Sequence, residues 1–294
     1  MIQEIDSEGF SIIEHLVDES LRTVTQDENE LDQIKTNLLK DLENGNLILL
    51  AGVNGDTATY GFGAFRRPLK EITSIHCPIE VWGELFSDIF QHLKEIHPVI
   101  RISGKNVPSS KHAFLTSSGF SMVEYADMSI KRADIELISQ SEPPEDFQIV
   151  QYSEDMKELV AKMLFESFVG HPFTEQYQEQ VGSLDACSKT LTRVNDAWHF
   201  SILTHDEDPI GSCLVKDQDG HGQVGLVAIL PSFRGQGFGR TIVSHSLIDA
   251  AKVHSKMKVI SLSSVNGGPA FNLYKDLGFT TNSIHQTFAW VKKE

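Results

Sequence analysis

The sequence is poor in cysteine and in basic residues. Only three cysteines, Cys77, Cys187 and Cys213, occur in 294 residues, and they have neither metal-ligand spacing nor an even number for complete pairing. We therefore expect reduced thiols in a cytoplasmic protein and no metal site. Lys and Arg number 25 against 41 Asp and Glu, which gives a formal net charge of −16. This balance argues against nucleic-acid binding, because a duplex-binding surface needs clustered cations.

Long apolar runs are also missing. No segment approaches the ~20 apolar residues that a membrane-spanning helix needs, and the acidic start, Met1–Asp6, does not resemble a signal peptide. No membrane association is predicted. The excess of acid is compatible with a cationic substrate, such as an amine, but an acidic surface that only keeps the protein soluble explains it as well.

A composition change near the middle of the chain predicts a domain junction. Residues 139–146 read Ser-Gln-Ser-Glu-Pro-Pro-Glu-Asp, and paired prolines among small and acidic residues continue neither a helix nor a central strand. We therefore predict two domains, residues 1–140 and 147–294. Their similar lengths prompt a search for internal repetition.

A glycine-rich turn dominates the second half. The apolar run from Val224 to Leu230 predicts a buried strand, and apolar residues recur at helical spacing from Ile242 to Ile248. Between them lies Arg-Gly-Gln-Gly-Phe-Gly-Arg, residues 234–240. Glycines allow a tight turn that brings several N–H groups together, and the following helix adds its positive end. The segment predicts a site for phosphate or pyrophosphate.

The motif differs from the common nucleotide loops. It lacks the Gly-Lys-Ser/Thr ending of a P-loop and the glycine spacing of the dinucleotide fingerprint. The order Arg-x-x-Gly-x-Gly, with Pro231 upstream, resembles the acetyl-CoA pyrophosphate loop of the GNAT superfamily of N-acetyltransferases. The stretch from Asn266 to Phe279, in which Leu-Tyr is followed three residues later by Gly-Phe, resembles the second signature of that superfamily.

The resemblance implies the fold. For residues 147–294 it implies the order β-α-α-β-β-β-α-β-α-β, which agrees with the apolar patterns, including a second helical stretch over residues 174–194 and a final hairpin or strand pair after Phe279. The expected class is α/β (α+β), with two tandem GNAT-like acyl-CoA N-acyltransferase folds. Each would be a mixed, mostly antiparallel sheet flanked by helices.

The first half echoes this order without the glycine loop. A hairpin around residues 54–56, a helix from Val81 to Ile96 and a strand over residues 99–103 are predicted. Residues 113–120 then parallel the segment that ends in Gly278-Phe279. Glu80 and Trp82 stand where the loop is expected, and Leu115 takes the place of Tyr274. We interpret residues 1–140 as a degenerate copy without CoA chemistry; an unrelated α/β domain is the alternative.

The resemblance also implies which residues hold acetyl-CoA, the co-substrate. The backbone N–H groups of Gly235, Gln236, Gly237, Phe238 and Gly239 would meet the pyrophosphate. The Arg234 side chain would brace the loop or approach a phosphate, unless it is simply solvated. Arg240 and Lys275 would meet the outer phosphates, although ordinary surface charge explains both.

The pantetheine arm would pair with a strand. The resemblance assigns this role to the backbone of Val227, Ala228 and Ile229. Asn266 would hydrogen-bond the pantetheine, or merely cap the helix that begins near Pro269.

The acid is easier to assign than the base. By resemblance, Tyr274 is the catalytic general acid that protonates the departing thiolate, since a phenol is protonated at neutral pH; an aromatic packing role is the alternative. Glu166, His171, His199 and His221 are candidates for the base, as are a water chain or no base at all. The segment 171–173 (His-Pro-Phe) lies where relatives line the acceptor pocket.

These features predict an acetyl-CoA-dependent N-acetyltransferase. It would move acetyl from the thioester to a primary amine of a small molecule or peptide by direct transfer. The alternative is a non-catalytic acyl-CoA-binding sensor or scaffold, suggested by the missing carboxylate on the strand before the loop. Both a monomer and a homodimer fit the sequence.

Overall fold

A computed structural model describes residues 2–22, 25–54, 58–139, 142–171, 178–195 and 198–292. The chain divides into two compact units. Unit 1 comprises Met1–Val123 together with Gln286–Glu294, and unit 2 comprises Glu124–His285.

Unit 1 is built on a mixed sheet. Its strands lie in the order β1-β2-β3-β4-β5-β12. Strands β4 and β5 are parallel, whereas the pairs β1–β2, β2–β3, β3–β4 and β5–β12 are antiparallel. The strands are β1 (Ile2–Ile5), β2 (Leu47–Asn54), β3 (Ala58–Arg66), β4 (Glu71–His76), β5 (Val99–Ser103) and the end of β12 (Thr280–Val291). The helices are α1 (Glu14–Leu21), α2 (Glu28–Glu43), α3 (Trp82–Ile96) and α4 (His112–Ser117).

Helix α3 of unit 1 begins at Trp82, where the sequence predicts that the glycine loop is missing. Trp82 is buried and stacks on Phe86 with ring centroids 5.1 Å apart, so the first turn of the helix is anchored by an aromatic side chain. Leu115 on α4 is also buried. Both residues belong to the core of unit 1. At the corresponding positions, the second half has the glycine turn and Tyr274.

Unit 2 repeats the arrangement. Its sheet has the order β6-β11-β10-β9-β8-β7. Strands β10 and β11 are parallel, whereas the pairs β6–β11, β9–β10, β8–β9 and β7–β8 are antiparallel. The strands are β6 (Ser121–Lys131), β7 (Phe147–Gln151), β8 (Trp198–His205), β9 (Asp208–Gln218), β10 (His221–Ile229) and β11 (Val259–Val265). The helices are α5 (Arg132–Ile135), α6 (Lys157–Phe168), α7 (Gln178–Val181), α8 (Leu184–Leu191), α9 (Phe238–Val253) and α10 (Pro269–Asp276).

Helices cover both faces of the unit 2 sheet. Apolar residues of α9 such as Ile242 and Leu247 pack on one face, and those of α6 and α8, such as Leu164 and Leu191, pack on the other. Because both faces are covered, β9 is buried almost continuously from Pro209 to Val215. The predicted class, a mixed and mostly antiparallel sheet flanked by helices, is confirmed.

The last strand of each half completes a sheet of the other half. Residues 125–131 of β6 pair antiparallel with β11, and residues 287–291 of β12 pair antiparallel with β5. The units therefore divide between residues 123 and 124 and again between residues 285 and 286, whereas the sequence pattern suggested the segment 139–146. The expected final hairpin is wrong, because residues 280–291 form one continuous strand.

Two other predicted elements change in detail. The helical stretch over residues 174–194 is interrupted, because Ser183 has extended backbone angles and caps α8 through the N–H of Ala186. Its first residues, 174–177, lie outside the described residues, as do residues 55–57 of the first hairpin and 140–141 of the predicted junction. Across the described ranges, every helix is too short or too polar to cross a membrane.

Candidate active site

The glycine-rich turn joins β10 to α9 as predicted. Gly235 and Gly237 have φ values of +76° and +88°, which L side chains rarely adopt. A Cβ added to either residue would have nothing within 4 Å. Open space therefore lies beside the turn, and Gly237 is the N-cap of α9. A turn of this shape at the N-terminus of a helix is favourable for binding an anion.

The side chains of the turn hold it in place. Arg234 donates from Nε to the carbonyl of Ile229 at 3.0 Å and from its terminal nitrogen to the carbonyl of Ser167. Of the roles considered for Arg234, bracing is the one that the structure displays. Gln236 donates to the carbonyl of Ser232 at 3.1 Å, and the Phe238 ring packs in the core. Because these side chains make contacts within the protein, a ligand at the turn would meet its backbone.

Strands β10 and β11 separate as they approach this turn. Their parallel pairing covers only residues 221–223 and 259–261. On the other edge, β10 has a bulge between Gly225 and Ala228, and Leu226 within it has a φ of 46°. The carbonyl of Leu226 accepts a hydrogen bond from the Ser212 hydroxyl at 2.7 Å. The edge of β10 that faces β11 is thus unpaired after Gln223 and can accept an added strand.

A cavity of about 670 Å³ occupies the gap between these strands. The two strands contribute residues 223–227 and 262–265 to its lining. Helix α10 contributes Pro269, Ala270 and Tyr274, next to Gly268. Val227 of the predicted pantetheine segment lines the cavity, whereas Ala228 and Ile229 pair with β9.

Tyr274 faces the cavity from α10. Its side chain is 5% exposed, and its ring lies 5.6 Å from that of Phe279. Burial, with a smaller effect of Cys213, raises the pKa of the phenol well above its usual range. The hydroxyl therefore keeps its proton at neutral pH, as a general acid must.

Asn266 does not line the cavity. Its side-chain amide donates to Oε1 of Glu124 at 2.5 Å, and its backbone N–H donates to the carbonyl of the same residue. The N-cap of α10 is Gly268, so the capping alternative for Asn266 is wrong. The structure shows Asn266 as a bridge from the end of β11 to β6.

Of the four candidate bases, only His171 lines the cavity. Burial and then the charge of Arg234 lower the pKa of its imidazole, which favours the neutral, proton-accepting form. The other three make contacts elsewhere. Oε1 of Glu166 lies 4.0 Å from Nζ of Lys162. His199 forms a hydrogen bond with the Ser201 hydroxyl, and His221 forms one with the Ser261 hydroxyl. Residues 172 and 173, named with His171 as acceptor-pocket candidates, lie outside the described residues.

A second wall of the cavity was not predicted from the sequence. It is formed by Phe168, Gln180, Thr190, Arg193, Trp198 and Lys216. These residues come from five separate elements and the loop after α8, and no local motif marks them. The alternation along β8 and β9 places Trp198 and Lys216 on one face, but their pairing appears only once the register is known.

Comparison with known proteins identifies a matching family for part of unit 2. Residues 196–281 match the family described as Acetyltransferase (GNAT) domain. The putative ribosomal protein bS18-alanine N-acetyltransferase of Bacillus subtilis is 26% identical over 123 residues, covering 37% of this chain and 79% of that protein.

Two solved structures share the fold across the whole chain. A GCN5-related N-acetyltransferase from Sphaerobacter thermophilus has a TM-score of 0.54 at 13% identity, covering 100% of this chain and 96% of that one. A tandem GNAT protein from the clavulanic acid biosynthesis pathway has a TM-score of 0.55 at 10% identity, covering 100% and 99%. Residues 196–281 therefore match a GNAT acetyltransferase domain, and the whole chain has the fold of these two structures. Its enzyme class is N-acetyltransferase.

Proposed function

We propose that unit 2 transfers acetyl directly from acetyl-CoA to a primary amine of a small molecule or peptide. The observation that carries this proposal is the cavity between β10 and β11, with the open glycine turn at the end of β10. The turn residues 235–239, with Arg240 beside them in the first turn of α9, would hold the phosphates. The unpaired edge of β10 from Gly225 to Ile229 would hold the pantetheine.

In the proposed reaction, the residues that line the cavity have different roles. The amine nitrogen attacks the thioester carbonyl, and a backbone N–H of the β10 bulge stabilises the oxyanion. As the C–S bond breaks, the Tyr274 hydroxyl gives its proton to the thiolate and is reprotonated from solvent. The attacking nitrogen loses its proton to His171 or, through water, to solvent. The products are the N-acetylated amine and the free CoA thiol.

The first test is calorimetric titration with acetyl-CoA. We expect one molecule to bind per chain and Gly237→Glu to abolish binding, because the new side chain and its charge enter the open space beside the turn. Gly45→Glu is the matched control, since Gly45 also has a positive φ, +68°, but lies in unit 1. It should share the backbone strain and keep the affinity.

The titration also separates the alternatives. Unchanged affinity in folded Gly237→Glu would overturn the assignment of the turn. Binding without turnover of any amine would favour the acyl-CoA sensor or scaffold. The three free cysteines and the use of acetyl-CoA lead us to propose a cytoplasmic location.

A further inference from the structure

Two cations line one wall of the unit 2 cavity. Lys216 lies on β9, and Arg193 follows α8. Lys216 stands opposite Gln223 of β10, just before the bulge, and opposite Trp198 of β8. This wall therefore adjoins the stretch of β10 where the proposed function places the thioester.

The environment of Lys216 is unfavourable for a charged amine. Its side chain is half-buried, and Nζ lies 4.3 Å from the centroid of the Trp198 ring. Burial, followed by the charge of Arg193, lowers the pKa of the Lys216 ammonium group. The aromatic face offsets part of the desolvation, but the nearby guanidinium adds repulsion.

The described part of the chain supplies no counter-ion for this pair. No Asp or Glu occurs among the described residues that line the cavity. The ion pairs found within the described ranges involve neither Lys216 nor Arg193. This local excess of positive charge occurs in a chain whose net charge is −16, so it does not follow from composition.

We infer that the acceptor carries a carboxylate close to its reactive amine, as a free amino acid does. Lys216 and Arg193 would bind the carboxylate through charge-assisted hydrogen bonds, while Trp198 and Phe168 supply apolar surface beside it. The same two cations disfavour the ammonium form of the acceptor, so they also help to release the neutral nucleophile. This inference rests on the proposed function and narrows its substrate class.

The test compares matched acceptors. Release of the CoA thiol is measured with each of the common L-amino acids and with the corresponding amino-acid amides, which lack the anion. Phosphoethanolamine and ethanolamine form a pair for phosphate. For at least one amino acid, we expect a kcat/KM at least tenfold higher than that of its amide. Lys216→Met should reduce this preference to about twofold, mainly by raising the KM of the amino acid.

Two variants guard against indirect effects. Lys216→Arg keeps a cation and should retain most of the preference. Lys252→Met, on α9 where Lys252 pairs with Asp249 at 3.0 Å, should leave the preference unchanged. Equal use of acids and amides, or a preference that survives Lys216→Met, would overturn the inference. A Lys216-dependent preference for phosphoethanolamine alone would show that the bound anion is a phosphate and overturn the carboxylate assignment.

A binding measurement separates this inference from the proposed function. N-acetyl amino acids and their amides are titrated into the protein with and without CoA. If the wild-type protein does not bind acetyl-CoA, this contradicts the proposed function alone. The titration with N-acetyl amino acids still decides whether a carboxylate is recognised. Tighter binding of the acids that disappears in Lys216→Met supports the inference. Equal binding of acids and amides refutes it, even if acetyl-CoA binds.

Discussion

Tyr274 combines a packing role with the chemistry proposed for it. Its ring contacts Phe279 in the core of unit 2, while the residue also lines the cavity. Burial keeps the phenol protonated, so its hydroxyl is available as a proton donor over a wide pH range. The ring and the hydroxyl can be tested separately, because phenylalanine preserves the ring.

At this position we expect Tyr274→Phe to lower kcat at least tenfold and to change the Kd of acetyl-CoA less than about twofold, since only the proton donor is removed. Steady-state kinetics and calorimetry measure the two effects. Tyr152→Phe is the control, because the Tyr152 hydroxyl contacts Glu154 at 3.4 Å and does not line the cavity. An unchanged kcat in Tyr274→Phe would show that this tyrosine only packs.

Among the elements, the turn before α9 depends on a contact that is distant in sequence. Arg234 connects the end of β10 with the last turn of α6 through the carbonyls of Ile229 and Ser167. The turn is therefore held in shape before any ligand arrives. A preorganised turn lowers the entropic cost of binding a phosphate group.

Accordingly, Arg234→Met should lower the free energy of unfolding by about 1–2 kcal/mol, because it leaves two carbonyls without their charged donor. It should also weaken acetyl-CoA binding several-fold. Denaturant unfolding and calorimetry provide the measurements. Arg240→Met, at an exposed position of α9, serves as the stability control and should unfold like the wild type. Equal stability of both variants would contradict the bracing role.

Local sequence signals predicted some of these elements and not others. Glycine spacing and the apolar runs around it predicted the strand, the turn and α9, because turn geometry depends on neighbouring residues. The same signals reveal neither the partner of a strand nor the register of a pair. For this reason the contact between Asn266 and Glu124, the wall with Lys216 and Trp198, and the pairing of β6 with β11 were not predicted.

At the scale of the whole molecule, residues 147–294 do not form a complete sheet. Strand β11 pairs with residues 125–131 along its whole length, but with β10 only over residues 259–261. A fragment without β6 leaves the edge of β11 that pairs with β6 exposed and unpaired. The tandem arrangement is therefore part of the structural integrity of the unit that carries the cavity.

A truncation experiment tests this dependence. We expect a fragment of residues 142–294 to be insoluble or to melt without a cooperative transition, and a fragment of residues 120–294 to recover solubility because it retains β6. Soluble yield and thermal melting followed by circular dichroism are the measurements. A cooperative transition of the shorter fragment at the same Tm as the longer one would show that β6 is dispensable.

The exchange of final strands also affects the order in which the newly made chain can fold. Residues 287–291, which pair with β5 in unit 1, are made after every other strand of that unit. The first unit therefore cannot complete its sheet until residues 287–291 have been made, although most of its residues are made first. By contrast, β6 is made before any other strand of unit 2 and is present when β11 emerges. The half synthesised second can thus finish its sheet before the half synthesised first.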